Sequence, residues 1–207
     1  CPDYLSPSIS CIIQKEIKAD NSAAFDLNAA CSGFIYGITT AQQFIASGYY
    51  KNVLVVACEG LSKIVDWEDR NTCILFGDGA GAVVLGPVEK EYGILNTELG
   101  ADGSMGHFIT IPCCHLSDED KEKRLHENKM VLWMDGTEVF KFAVNIMAQA
   151  VEKVLEKCYL TMDDVKLIVP HQANIRIIDG AAKKMGIPFE KIYSNVHKYG
   201  NTSSASI

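Results

Sequence analysis

The chain has 207 residues, 48% of them hydrophobic, enough to bury roughly 70–75% of its unfolded surface in one domain or two small ones. With 26 acidic residues against 19 basic ones, the formal charge of −7 offers no basic face to a phosphate backbone, so nucleic acid is not an expected partner. No window approaches the ~18 consecutive apolar residues of a membrane span, and Cys1-Pro2-Asp3-Tyr4 lacks the regions of a signal peptide, so no membrane role is expected.

The chain opens on a helical pattern, Pro7 to Ile17. Ala23–Asn28 is a strand candidate, followed by a helix in which Phe34, Ile38, Ala41 and Ile45 share one face before Gly48 closes the run. Asn52–Cys58, apolar after its first residue and rich in β-branched side chains, is expected to be a buried strand. A polar excursion from Glu59 to Asn71 leads to strand-like Cys73–Phe76 and Ala82–Val88 around a glycine-rich turn, with Gly93–Leu99 as another strand. His107 to Lys129 is polar, with a charge run Asp118–Arg124, and is expected to be a surface loop or short helix. Beyond it come a strand at Met130–Met134 and the strongest helix, Thr137–Tyr159, with Thr137 as its cap. Val165–Val169, a helix from Asn174 to Met185 stopped by Gly186, and a strand Lys191–Val196 complete a βαβ unit. The division expected is 1–105 as a first half, 106–129 as a loop excursion and 130–207 as part of a second half.

Cys31, in Ala29-Ala30-Cys31-Ser32-Gly33-Phe34, sits where a strand-like run gives way to a helix. Unpaired backbone N–H groups and the positive end of the helix dipole at such a place favour a thiolate nucleophile. In a chain with eight cysteines, a core thiol is the plain alternative. Two further residues share its topological address. His171 follows the apolar run 165–170, and Asn201 lies in Tyr199-Gly200-Asn201-Thr202-Ser203-Ser204, where its amide can donate to a developing anion or simply cap a helix. The helix starts at Cys31-Ser32-Gly33 and Asn201-Thr202-Ser203 are alike enough to hint at two related halves.

Gly77-Asp78-Gly79-Ala80-Gly81-Ala82 is not a dinucleotide loop, because the strand-like Val83-Val84-Leu85 follows where a helix would have to open. Its glycines are expected to let backbone pack closely beneath a site, with Asp78 hydrogen-bonding nearby. Cys113-Cys114-His115, with His107 and His126, lacks the spacing with which two thiolates wrap a zinc ion, and no metal is expected. Lys121-Glu122-Lys123-Arg124 has the pattern of a solvated face. The cysteines, spread through apolar runs such as Val53 to Cys58, read as reduced thiols of a cytoplasmic protein.

With these residues in place, the chain resembles the β-ketoacyl-acyl carrier protein synthase III family of thiolase-like condensing enzymes. The resemblance is carried by AACSGF at 29–34, DRNTCILFGDGAGAVVL at 69–85, GADGS at 100–104, PHQANIRI at 170–177 and YGNTSSAS at 199–206. It implies an α/β, layered αβαβα thiolase-like fold, here incomplete, without the family's first strands and closing segment. It also implies a cytoplasmic homodimer that uses acyl-CoA and malonyl-acyl carrier protein as substrates and needs no cofactor beyond these thioesters. Cys31 would hold the acyl group, while His171 and Asn201 would stabilise the enolate left by decarboxylation. Arg70 and Asn174 would line the pantetheine and nucleotide end of the tunnel, Phe76 the acyl pocket, and Arg176 with Lys141 would face the acidic carrier protein. Other readings are a relative with the same triad, such as a 3-hydroxy-3-methylglutaryl-CoA synthase or a polyketide starter synthase, and a silent fragment acting as an interaction module. A truncated chain is expected to show little activity by itself.

Overall fold

In the computed structural model, residues 4–89, 92–112, 118, 122 and 130–207 are described. Helix α1, Ile9–Glu16, begins where Ser8 caps the N–H of Cys11, a shorter helix than the sequence pattern predicts. The predicted strand Ala23–Asn28 is extended but joins no ladder. Its Asp26 carboxylate turns back onto α1 and accepts the N–H groups of Ile9 and Ser10, each at 2.9 Å, while Ser10 donates to the Phe25 carbonyl. These bonds tie the segment to a helix start instead of a sheet.

Helix α2, Gly33–Ala46, follows a 3-10 turn at Ala30–Ser32. Its Phe34 and Ala41 are buried against Val55 and Ala57 of strand β1, Val53–Glu59, with Ile38 packed beside them. Gly37 permits that approach, since a Cβ there would fall 2.9 Å from a Val55 methyl. Strand β1 pairs antiparallel with β2, Gly79–Leu85, in register from Val53↔Leu85 to Glu59↔Gly79. The expectation of a strand buried on both faces is half met: α2 covers one face, while Leu54, Val56 and Val84 on the other are exposed.

Of Cys73–Phe76, predicted as strand, Cys73–Leu75 is a turn and Phe76 alone makes a bridge, parallel to Asn201. The Asp69 carboxylate accepts from the Asn71 N–H and the Thr72 hydroxyl, and the Asp69 carbonyl accepts from the Cys73 N–H, so local side-chain chemistry overrides strand propensity. Gly93–Leu99 likewise joins no ladder; Gln42 donates to the Ile94 carbonyl, and Lys157 pairs with Glu98. Of the predicted strand Met130–Met134, the two residues Trp133–Met134 (β4) pair with Ile109–Thr110 (β3).

The long helix α3, Gly136–Cys158, starts one residue early because Asp135, not Thr137, is its cap, accepting from the N–H groups of Thr137 and Glu138. It packs on α4, Ile175–Met185, whose Asn174 cap and left-handed Gly186 stop match the sequence signals. The βαβ unit is present in outline, its two strands reduced to one parallel bridge, Ile168↔Ile192. Ile178, Ala182 and Ile192 form the core beneath it. After the short helix α5, Val196–Tyr199, a final 3-10 turn at Ser203–Ser206 crosses to the first half, where Ala205 and Ile207 pack on the α2–β1 core. This crossing brings the two halves of the sequence together at one place.

The vicinal Cys113 and Cys114, with His115, His126 and the cations Lys121, Lys123 and Arg124, lie outside the described residues. Cys11, Cys31, Cys58, Cys73 and Cys158 are not joined in disulfides. No helix among the described residues is long and apolar enough to cross a membrane.

Candidate active site

The turn Ser203–Ser206 is the hub on which the three singled-out residues meet. The Ser203 hydroxyl donates to Cys31 Sγ at 3.6 Å. The Ser203 backbone N–H donates to Asn201 Oδ1 at 2.9 Å. Ser206 Oγ lies 2.7 Å from His171 Nδ1. Positions 31, 171 and 201 therefore converge through serines of one four-residue turn, although up to 170 residues separate them in sequence.

Asn201 is held by backbone as well. Asn201 is buried and bridges Phe76 in parallel, with its own N–H on the Leu75 carbonyl and its carbonyl accepting from Gly77. Because the Ser203 N–H occupies the amide oxygen, the Asn201 side chain presents its NH2 group as a donor. The glycine loop makes room for this: a Cβ on Gly77 would strike the Tyr199 carbonyl oxygen, and one on Gly79 would sit 3.0 Å from the Thr202 side chain. The glycines are therefore close packing beneath the site, and β2, which already begins at Gly79, puts a strand where a dinucleotide loop would have to open a helix. Asp78 accepts from the Ser62 N–H and hydroxyl, as the sequence led one to expect of a hydrogen-bonded Asp78.

Ala30 and Ser203, on either side of the thiol, take left-handed φ values of 46° and 51°. Such a conformation costs a non-glycine residue about 1–3 kcal/mol, and it tends to be retained where function needs it. Asn28 Oδ1, which accepts the Ala30 N–H at 3.2 Å, and Asn201 Oδ1 hold the two residues there.

The electrostatics correct one expectation. Burial pushes the Cys31 thiol up, the nearby Glu59 carboxylate adds to that push, and the Ser203 hydrogen bond offsets part of it. The helix start does not outweigh desolvation, so the resting group is a thiol and not a thiolate. Glu59 itself is held by the Ser204 hydroxyl at 2.6 Å. Burial pushes His171 down to about 4, against a smaller pull from a hydrogen bond with the Ser203 backbone, so its ring is neutral at physiological pH.

A depressed histidine has a consequence for stability. Between pH ~6.5 and about 4 the unfolded chain binds a proton at His171 that the folded one refuses, so folding weakens as pH falls through this window. The expected contribution is on the order of 3 kcal/mol, lost on going from pH 7 to pH 4. Urea unfolding of the parent and of His171→Gln at both pH values checks it: the variant should lose less stability, and equal losses would contradict the assignment.

The outer residues are less gathered. Phe76 stands next to the site through its bridge to Asn201. Asn174 Oδ1 is committed to the N–H of Ile177 as the cap of α4, and Arg176 is exposed in the first turn of that helix. Arg70 is exposed within the Asp69 turn. Lys141 is ion-paired with Glu138 at 2.6 Å, which weakens it as a free cation for a partner. Sequence reasoning missed Ser203, Ser204, Ser206 and Glu59. The serine run after Asn201 was the visible signal, but its hydroxyl partners come from distant segments. Among the described residues, no three His, Cys, Asp or Glu side chains group as a metal would require.

Comparison with known proteins agrees with the resemblance. Residues 25–103 match the family described as 3-Oxoacyl-[acyl-carrier-protein (ACP)] synthase III, and residues 155–207 match the C-terminal model of that family. Proteins named Beta-ketoacyl-[acyl-carrier-protein] synthase III are similar over the whole chain. The one from Caldanaerobacter subterraneus subsp. tengcongensis is 52% identical over 210 residues, and that from Clostridium tetani 53% over 215. The chain spans 62% and 64% of their lengths. The crystal structure of 3-oxoacyl-[acyl-carrier-protein] synthase III from Aquifex aeolicus VF5 superposes with a TM-score of 0.89 at 46% identity, covering 100% of this chain and 62% of that one.

Proposed function

The chain belongs to the β-ketoacyl-acyl carrier protein synthase III family and has its thiolase-like fold, and from that premise we propose that the protein is an acyltransferase that joins a short acyl group to malonyl-acyl carrier protein. The observation that carries this reading is the convergence of Cys31, His171 and Asn201 on the Ser203–Ser206 turn. A nucleophile and two neutral donors in one place are what a decarboxylative condensation requires.

In the proposed first step, Cys31 attacks the carbonyl carbon of acyl-CoA. The new S–C bond replaces the bond to the CoA sulfur, and CoA leaves as a thiol carrying the proton Cys31 gives up. Malonyl-acyl carrier protein then enters. Its terminal C–C bond breaks, carbon dioxide departs, and the electron pair becomes a thioester enolate. His171 and the NH2 of Asn201 donate to that enolate oxygen. The carbanion carbon attacks the acyl group on Cys31, the S–C bond breaks, and the sulfur takes a proton from solvent as 3-oxoacyl-acyl carrier protein leaves. The donors suit this charge because both are neutral: each strengthens its bond as the anion forms, without a cation to bind the substrate carboxylate beforehand.

Around this centre, Phe76 would border the acyl group, and Arg70 and Asn174 the pantetheine and nucleotide. Exposed Arg176 would meet the acidic carrier protein, with Lys141 a weaker contributor because of Glu138. Pairing with a second copy and a reducing, cytoplasmic setting belong to the same proposal. The test is product formation: the full-length protein given acyl-CoA and malonyl-acyl carrier protein should release carbon dioxide and CoA in step with 3-oxoacyl-carrier protein. Condensation onto a CoA-borne acceptor alone would favour the 3-hydroxy-3-methylglutaryl-CoA synthase reading instead.

A further inference from the structure

We propose that Ser206 is a positioning residue that fixes the tautomer of His171, holding the ring proton on Nε2, where the ring can donate to substrate. This rests on the reading of His171 as an enolate donor. Ser206 Oγ, 8% exposed, lies 2.7 Å from His171 Nδ1 and accepts the backbone N–H of Gln172 at 3.1 Å. A hydroxyl has one proton and two lone pairs. The Gln172 N–H occupies one lone pair, and among the described residues His171 Nδ1 is the acceptor within reach of the proton. The chain of donation therefore runs from Gln172 N–H to Ser206 Oγ, and from Ser206 O–H to Nδ1.

A neutral imidazole carries one N–H, and the hydrogen bond at one nitrogen decides which nitrogen keeps it. With Nδ1 accepting, the proton stays on Nε2. The opposite arrangement, Nδ1–H donating to Ser206, would leave a buried hydroxyl proton with no acceptor among the described residues and would turn a bare lone pair of Nε2 toward a developing anion.

The first donor in the chain is itself immobilised. Gln172 is fully buried; its Nε2 donates to the carbonyls of Pro170 and Tyr193, and its Oε1 accepts from the N–H groups of Asn195 and Val196. Three of these four bonds join the segment carrying His171 to residues 193–196 at the start of α5, so the Gln172 N–H has a fixed direction. Neither residue need touch substrate for this to work. Gln172 orients Ser206, and Ser206 orients the ring.

The experiment labels the histidines with nitrogen-15 and reads side-chain nitrogen shifts, with the His171 signal identified by its loss in His171→Gln. The parent is expected to show the Nε2–H form. Ser206→Ala should lose that preference, and Ser206→Thr, which keeps a hydroxyl, should restore it. Kinetically, Ser206→Ala should slow malonyl decarboxylation about tenfold, the scale of losing one orienting hydrogen bond, while acylation of Cys31 changes by less than about threefold. A parent ring protonated on Nδ1, or a Ser206→Ala protein with unchanged shifts and rates, would overturn the proposal; if Ser206→Ala does not fold, the parent spectrum decides it alone. If the parent fails to decarboxylate malonyl-acyl carrier protein while the Ser206-dependent tautomer is present, the proposed function fails and the positioning role stands.

Discussion

His171→Ala is expected to separate the two half-reactions, lowering malonyl decarboxylation by roughly 10²–10³ while Cys31 still takes up acyl groups from acyl-CoA. The argument is electrostatic. A donor aimed at a developing oxyanion in a desolvated site contributes about 3–4 kcal/mol to that step, and in the proposed mechanism the ring acts on the enolate. Cys31 itself is hydrogen-bonded to Ser203, not to His171, so the alanine leaves its nearest partner in place. Asn201→Ala should show the same asymmetry, with more structural damage, because Asn201 Oδ1 also holds the N–H of left-handed Ser203. Single-turnover measurements of acyl transfer and of carbon dioxide release, made separately, check both variants. Equal loss of the two steps would count against His171 as an enolate donor.

Cys31→Ala carries the largest expected loss. Condensation should fall by on the order of 10⁴ or more, since the variant lacks the nucleophile that carries the acyl chain between the two substrates. Decarboxylation has a different fate in this variant: His171 and Asn201 remain anchored to Ser206 and Ser203, so malonyl-acyl carrier protein should still lose carbon dioxide and give acetyl-carrier protein. Carbon dioxide release without 3-oxoacyl product is the signature to look for. A variant that still condenses would transfer the nucleophile's role to another thiol.

The part of this site that the sequence made legible is its set of addresses. Cys31 and His171 each stand where an apolar run ends ahead of a helical segment, a place that patterning reveals, whereas Asn201 follows the short helix α5 and not a strand, and is placed by its bridge to Phe76. The address of His171 held even though the strand before it makes a single bridge at Ile168. What the sequence hid depends on packing. Burial reversed the expected direction of the Cys31 thiol, because no pattern of neighbours in sequence reports how much water a side chain loses. The roles of Ser203 and Ser206 were hidden for a related reason, since their partners lie 172 and 35 residues away.

Elements failed where side chains competed for backbone. Asp69 drew the start of an apolar run, Cys73–Leu75, into a turn, and Asp26 tied Ala23–Asn28 to α1. The partners of Asp69 lie within four residues of it, a local turn signal set against the apolar pattern, whereas those of Asp26 lie 16 and 17 residues away and are visible only in three dimensions. Helix α4 was read almost to the residue because Asn174 and Gly186 mark its ends in the sequence itself.

The central claim is that Cys31 carries the acyl group and passes it to the malonyl-derived carbanion. Peptide-level mass spectrometry after incubation with a short acyl-CoA tests it most directly. The account predicts one acyl adduct, on Cys31 and not on the other seven cysteines, which disappears when malonyl-acyl carrier protein is added and reappears as 3-oxoacyl-carrier protein. An adduct on a different cysteine, or condensation with Cys31 never acylated, would contradict it.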